Sequence, residues 1–453
     1  MRREPVDTSD AREPRADLVG LHASAQSAFD RQHTRDELGT KLHLLLGCLA
    51  LLCAAGPNSV AELGLIPLVL YSFVRLNNTW RTFGGFFRQP AWWCILAWCL
   101  WQWVAVLWSE DTAEAIDQAG ATRFALLPLM LWPVLDRRGP LLASLCAGFL
   151  IGHLAQLGHA SGVEWLTRDR LPGRNSGWWD PAVAGSLLMV PLGMHLASAL
   201  HGAGRWRLVG VCGVGITALA LLATGTRGAW LASTALLPIA LLLAAWQVRP
   251  RRRLLRPAIA LVSAVLIGGT LALVVAGDGI RQRVEEGRAE VASALESQDY
   301  ETSTGRRVLM YRVAWEAFIA HPIVGVGTGD YAAWGNEQMR AEDRGGARVL
   351  AHAHCGPLHL AATQGLIGLA LAGVASWLVF TGATARPPSA LGGYERGPAL
   401  ALVGLLLVSA FDAIQVNAQT ALMLGILAAF ATTRLPARVG WNAVPSGVRT
   451  EQA

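Results

Sequence analysis

The feature that most constrains this chain is a succession of apolar runs separated by polar connections. They can be drawn at about 42–55, 61–74, 89–108, 121–135, 141–157, 181–200, 207–224, 229–246, 258–276, 358–380, 398–411 and 420–433. Within hydrocarbon only helices and closed barrels satisfy their own backbone, and a run approaching about 20 apolar residues has the length of a crossing helix. The pattern predicts an all-α polytopic membrane protein with about twelve transmembrane helices. With 53% hydrophobic and 15% charged residues, a soluble domain of this length would be left with far too much exposed apolar surface.

Arginine placement supplies the orientation, because short cytoplasmic loops are enriched in basic residues. With the N-terminus inside, the inside loops carry Arg75, Arg81 and Arg88; Arg137 and Arg138; Arg205 and Arg207; Arg249, Arg251, Arg252, Arg253 and Arg256; Arg386 and Arg396; and Arg434, Arg438 and Arg449. The outside loops at 56–60, 109–120 and 412–419 have no Arg or Lys, and 109–120 is acidic through Glu110, Asp111, Glu114 and Asp117. The expected layout is a polar cytoplasmic segment 1–40, helices one to nine within 41–276, a large outside loop 277–357, helices ten to twelve within 358–433 and a cytoplasmic tail 434–453. Residues 1–40 lack the apolar stretch of a signal peptide. Trp80, Trp108, Trp206 and Trp246 sit at span edges, where indole rings prefer the headgroup zone. Trp178 and Trp179, in an outside loop beside Arg174, are instead candidates for stacking on a sugar.

Several functions are excluded. Lys41 is the only lysine, which removes a Walker A phosphate loop. Six of the seven cysteines fall inside apolar runs, leaving Cys355 alone and no disulfide framework. The net charge of +6 is dispersed between spans as membrane topology requires, which argues against nucleic acid. Gly325-Val326-Gly327-Thr328-Gly329-Asp330 imitates a dinucleotide fingerprint but has no strand before it, so it reads as a tight glycine turn.

The loop 277–357 holds nine arginines and closes on Ala351-His352-Ala353-His354-Cys355. Apolar spacing predicts one helix from Ile280 to Leu295 and another from Arg307 to Ile319, lying on the membrane or over a site, with Tyr311, Trp315 and Phe318 on one face. Thr302, Ser303 or Thr304 offers a hydroxyl cap to the second helix, and His321-Pro322 ends it. Arg174, Arg227, Arg307 and His354 stand out on the outside face. Arg227 sits in the short turn Thr224-Gly225-Thr226-Arg227-Gly228, where an arginine is paired, snorkelling or functional. Arg306 and Arg307 open a helix, the wrong end for a cation, so an anion should compensate: Asp299 and Glu301, or a bound phosphate. His354, at the mouth of a span, suits a general base with a pKa near neutrality, although a lone interfacial histidine is more often structural. A metal set of His352, His354 and Cys355 would strain tetrahedral geometry.

The run Thr304-Gly305-Arg306-Arg307-Val308-Leu309-Met310-Tyr311, then His321-Pro322-Ile323-Val324-Gly325-Val326-Gly327-Thr328-Gly329-Asp330-Tyr331, then His354 followed eleven residues later by Gly365-Leu366-Ile367-Gly368, resembles the core signature of the O-antigen ligase and polymerase superfamily. Thr226-Arg227-Gly228 fits its Ser-Arg-Gly element, and the detailed match covers about residues 220–370. Cys355 stands where the family commonly has Asn or Ser, and Asp330 where it often has Asn. The resemblance implies a GT-C-like membrane glycosyltransferase of the bacterial inner membrane, with a periplasmic site and an undecaprenyl diphosphate glycan as donor. It implies no nucleotide, metal or other cofactor. By the same resemblance Arg227 and Arg307, with Arg174 as a less secure third, would hold the diphosphate and His354 would activate the acceptor hydroxyl. Arg306, Tyr311 and Asp330 would support them.

Within that class an O-antigen ligase acting on lipid A–core is preferred, since the dominant loop lies late in the chain and no further C-terminal domain is expected. A polymerase and a protein O-oligosaccharyltransferase are the alternatives. A transporter of an anionic lipid or sugar would be expected to show paired ionisable residues mid-span or inverted repeats, and neither is visible.

Overall fold

A computed structural model describes residues 27–163, 174–247, 252–339, 347–384 and 393–432, and among these all regular structure is helical. The N-terminal segment through residue 26, the tail from residue 433, and Arg249, Arg251, Arg340, Arg344 and Arg386 lie outside the described residues. The principal helices are α1 (Glu37–Ala54), α2 (Asn58–Val74), α3 (Pro90–Ala105), α4 (Thr112–Gly120), α5 (Arg138–Ala160), α6 (Pro181–His201), α7 (Arg205–Ala223), α8 (Arg227–Gln247), α9 (Arg252–Glu296), α10 (Ser303–Ala320), α11 (Tyr331–Gln338), α12 (Gly356–Thr384), α13 (Gly397–Val408) and α14 (Ala418–Thr432).

Among the described residues seven helices are long and apolar enough to cross a membrane, and an eighth if Asn58–Val74 and Leu76–Phe86, bent by 68°, form one span. The protein is therefore a polytopic membrane protein, with seven or eight of the expected twelve spans found as helices among the described residues. The run 121–135 is not one helix: Pro128 and Pro133 remove backbone donors, and it divides into 3-10 turns flanking a short helix at Leu127–Leu131. Helices α13 and α14 reach only 12 and 15 residues.

Helix α6 is the central pillar. Its apolar window is 94% buried, against 22–50% for the other six candidates. It packs against α7 on one side and α13 on the other, while α3 lies along α12 and α1 along α5. At one end Asp36 caps α1 through the Gly39 N–H at 3.0 Å and accepts from Arg75 Nε at 2.8 Å, which ties α1 to the end of α2.

The polar insert is built differently from the expected pair of separate helices. Helix α9 runs without a break from Arg252 to Glu296, so the segment expected as a helix from Ile280 is the outer half of a 45-residue rod. Helix α10 follows expectation: Thr302 Oγ1 accepts from the Gly305 N–H at 3.0 Å, and the helix stops at Ala320 before His321-Pro322. Its buried face is Leu309, Met310, Val313, Ala314 and Ala317, packed with Tyr300, Val326, Tyr331 and Val349 into a small second core. Trp315 and Phe318 stack on the outer side, their ring centroids 5.8 Å apart.

The glycine turn is a docking element. Gly325, Gly327 and Gly329 all have positive φ. The segment pairs with a kink in α12: Val326 N donates to Ala362 O at 2.9 Å, Gly327 N to Thr363 O at 3.1 Å and Leu366 N to Pro322 O at 2.8 Å. Gly365, at φ 65° and ψ −164°, makes the kink in a region open essentially to glycine alone, and a Cβ there would collide with the Ile323 carbonyl. The two motifs that surround His354 in sequence are thus halves of one backbone contact.

Candidate active site

The turn before α8 is held by Thr226 Oγ1, which donates to Pro181 O at 2.9 Å and so registers the start of α8 on the start of α6. Arg227, the first residue of α8, reaches across to the outer half of α9. Its Nη1 donates to Glu290 Oε2 at 3.2 Å and to Thr304 Oγ1 at 2.9 Å, and its Nη2 to Glu286 Oε2 at 3.5 Å. Glu290 Oε2 also accepts the Thr304 N–H at 3.1 Å, one of the free donors at the N-terminus of α10. Burial would raise the Glu290 carboxyl, but hydrogen bonds from Thr304 and Arg227 and the Arg227 charge outweigh it and hold the group below its ordinary value. The compensating anion at this helix start is therefore Glu290. Glu301 pairs with Arg306, 3.6 Å away and well exposed, while Asp299 turns to the Glu301 N–H and Ser293.

Three more guanidiniums gather here. Arg174 has its pKa lowered first by burial and then by the positive charges of Arg283, Arg307 and Arg227, with Asp180 acting in the opposite sense. Arg283 lies 3.7 Å from Glu286. Arg307 is half-buried, and among the described residues it has no hydrogen-bond or ion-pair partner. Arg174, Arg227, Arg283 and Arg307 come from four segments of chain into one field, with Glu286, Glu290 and Asp180 as the acidic neighbours.

Beyond Arg307 lies the histidine loop. His354 has φ 50°, a left-handed conformation that is strained for a residue with a Cβ and is characteristic of functional sites. The Tyr311 hydroxyl is placed to donate to the carbonyl of His354 or of Ala410, each 3.4 Å away. His352 and His354 meet edge to face with centroids 4.3 Å apart. Both Nδ1 atoms are buried without a hydrogen-bond partner among the described residues. The expectation of a near-neutral pKa is not met: burial, then the charges of His352 and Arg307, push His354 down to about 3. The ring is neutral and free to take a proton, but in this state it is a weak base.

Two further residues escaped the sequence reading. Asp412, in the turn between α13 and α14, accepts from Ser186 Oγ at 2.8 Å. Burial raises its carboxyl, opposed by Ser186, His352 and Arg307, so it lies in the field of both the histidine loop and Arg307. No local motif marks either residue. His359, one turn into α12, has Nε2 3.3 Å from Gln118 Oε1 and its ring against Tyr331.

Other expected residues have structural partners. Asp330 accepts the N–H of Glu110 at 2.6 Å and of Asp111 at 2.8 Å, binding the first acidic loop to the glycine turn. Both indole N–H groups of Trp178 and Trp179 donate to Ala55 O, at 3.3 and 2.9 Å; Trp179 is only 1% exposed and offers no face to a sugar, whereas Trp178 is half-buried. Burying indole demands a partner for its N–H, and the end of α1 supplies it.

Residues 212–373 match the protein-family model described as O-Antigen ligase. The matched range holds Arg227, Arg283, Glu286, Glu290, Arg307, His352 and His354, and leaves Arg174, Ser186 and Asp412 outside. No curated protein matches the chain.

Proposed function

From the O-antigen ligase family domain at residues 212–373 and the site it builds, we propose that this protein is a membrane glycosyltransferase that moves a glycan from undecaprenyl diphosphate to a sugar hydroxyl of lipid A–core. The observation that carries the reading is the convergence of Arg174, Arg227, Arg283 and Arg307, of which Arg307 also acts on a strained histidine whose Nδ1 is buried without a partner among the described residues. Guanidiniums suit a diphosphate because their forked donors match its oxygens and remain charged at any working pH.

In the proposed reaction the acceptor hydroxyl gives its proton to His354 as its oxygen attacks the anomeric carbon from the face opposite the diphosphate. The new glycosidic C–O bond forms as the bond to the diphosphate breaks, with inversion, and undecaprenyl diphosphate leaves with both electrons of that bond. Arg227, Arg307 and Arg174 stabilise the leaving anion, so charge stabilisation carries more of the barrier than a general acid would. Glu290 occupies the space between the Arg227 guanidinium and the N-terminus of α10 that suits a phosphate, and the donor takes its place. Bound diphosphate also adds negative charge near His354, which strengthens the base when it is needed. In this reading the site faces the periplasm of the bacterial inner membrane with both chain ends in the cytoplasm, an orientation the arginine distribution favours, and the family resemblance implies a GT-C-like arrangement.

The test is purified protein in a bilayer with lipid-linked glycan and, separately, lipid A–core, a second lipid-linked repeat or a pilin. Glycan appearing on lipid A–core supports the ligase. Glycan on the lipid-linked repeat makes the protein a polymerase of the same superfamily, and glycan on the pilin an O-oligosaccharyltransferase. Transfer to none of them overturns the reading.

A further inference from the structure

A cavity of about 480 Å³ lies within the apolar half of the molecule, walled by α3, the 121–125 turn, α12, α13 and α14. This is within the size range of ligand cavities. No arginine, lysine, aspartate or glutamate lines it, so it is suited to hydrocarbon and not to a phosphate or a charged headgroup. Its polar lining is Gln102, Thr122, Ser376, Ser409 and Gln415 with the backbone of Gly356, and Gln415 Nε2 donates to Gly356 O at 3.3 Å. Gly356 is two residues from His354. Its apolar wall includes Trp377 and Leu406, which are 64% and 40% exposed, so the cavity reaches the surface of the helix bundle.

The turn 409–415 divides this cavity from the arginines. Asp412 faces Ser186 and the field of His352 and Arg307, whereas Ser409, Ile414 and Gln415 line the cavity. None of the lining comes from α6 to α10 or from residues 174–180, the segments that carry the four arginines. The geometry points to this cavity as the seat of a hydrocarbon chain belonging to the acceptor. This rests on the proposed reaction: in an inverting displacement the nucleophile enters opposite the leaving group, so an acceptor meeting His354 comes from the side away from the diphosphate. The donor's polyprenyl tail, attached to the diphosphate, belongs to the arginine side. The occupant assigned here is an acyl chain of a lipid-anchored acceptor, which holds the acceptor's sugar at a set height against His354.

Gly373 lines the cavity and has no atom within 4 Å of the place its Cβ would take, so Gly373→Phe fills the space without a backbone clash. Gly215 on α7 is equally open but lies outside the cavity, which makes Gly215→Phe the control. The full-length protein is assayed in nanodiscs with lipid-linked glycan and either lipid A–core or the same core oligosaccharide stripped of its acyl chains. Gly373→Phe is expected to raise the KM for lipid A–core at least roughly tenfold, leaving the KM for donor and the transfer to the stripped core unchanged. Gly215→Phe should alter none of these. A rise in the donor KM alone would seat the polyprenyl tail here and overturn the assignment, as would no change in any KM. A diazirine carried in a lipid A acyl chain separates this inference from the reaction it rests on. Labelling of residues 369–380 that Gly373→Phe removes, in a protein that transfers no glycan, sinks the proposed reaction and keeps the cavity. Transfer without such labelling sinks the cavity and keeps the reaction.

Discussion

Arg227 and Glu290, 63 positions apart in the chain, meet at 3.2 Å at the N-terminus of α10, so the chain's own carboxylate sits in a site built for an anion. The pair is about one-fifth to one-quarter exposed, and together with Thr304 it joins three different helices. Removing the carboxylate charge tests whether the donor competes with it. A partly exposed pair of this kind is worth about 0–1 kcal/mol. Glu290→Gln is therefore expected to lower the donor KM by up to about fivefold, with kcat little changed, in steady-state transfer assays. A higher donor KM would instead mean that Glu290 holds Arg227 in place for the donor.

Arg227→Ala and Arg307→Ala are expected to leave the protein in the membrane, since neither side chain is part of the hydrophobic core. Each should reduce kcat by about 10²–10³-fold, the usual loss when one stabilising donor to a developing anion is removed. Membrane fractionation together with glycan transfer checks both halves of the statement. Arg306→Ala, whose side chain is exposed and turned to Glu301, should retain most activity.

His354→Ala should cost about 10²–10⁴-fold in rate, the range for a positioned general base, and near-normal transfer would remove His354 from that role. The pH profile carries a more specific signature. The active form is the neutral ring, and burial with the charges of His352 and Arg307 opposes protonation down to about 3. For free enzyme, kcat/KM should therefore show no loss assignable to His354 as the pH falls through 6.5 to 5. Bound diphosphate favours the protonated ring, so the acid limb of kcat should lie at higher pH than that of kcat/KM.

Gly365→Ala is expected to destabilise the protein even though it adds one methyl group. The backbone at φ 65° and ψ −164° disfavours any side chain by about 1–3 kcal/mol, and the added Cβ meets the Ile323 carbonyl. Thermal unfolding in detergent should show a lowered midpoint, with a larger effect than Gly373→Ala on the same helix, where the space is open.

Local signals were legible in the sequence. Apolar run length identified a membrane protein, Thr302 and His321-Pro322 bounded α10, and the glycines at 325, 327 and 329 announced a turn. Arg227, Arg307 and His354 emerged from the resemblance of their motifs, and the structure brings the two arginines into one charged field with Arg174. The expected span at 121–135 failed where hydropathy ignores backbone chemistry: these residues are apolar enough to cross, but Pro128 and Pro133 interrupt the ladder.

The rest depends on distances that no local pattern encodes. Glu290 reads as one acid among many on a charged helix until α9 proves continuous and carries it to Arg227. Trp179 reads as a candidate for stacking on a sugar until the fold buries its ring and the end of α1 takes its N–H. His354 reads as a near-neutral imidazole until burial and the charges around it lower its pKa. Sequence alone determined which segments leave water and where helices start and stop, because hydropathy, caps and breakers act within a few residues. Tertiary structure alone decided which charges neutralise one another and how strong a base the histidine is, because desolvation and Coulomb interactions depend on proximity in space between residues far apart in the chain.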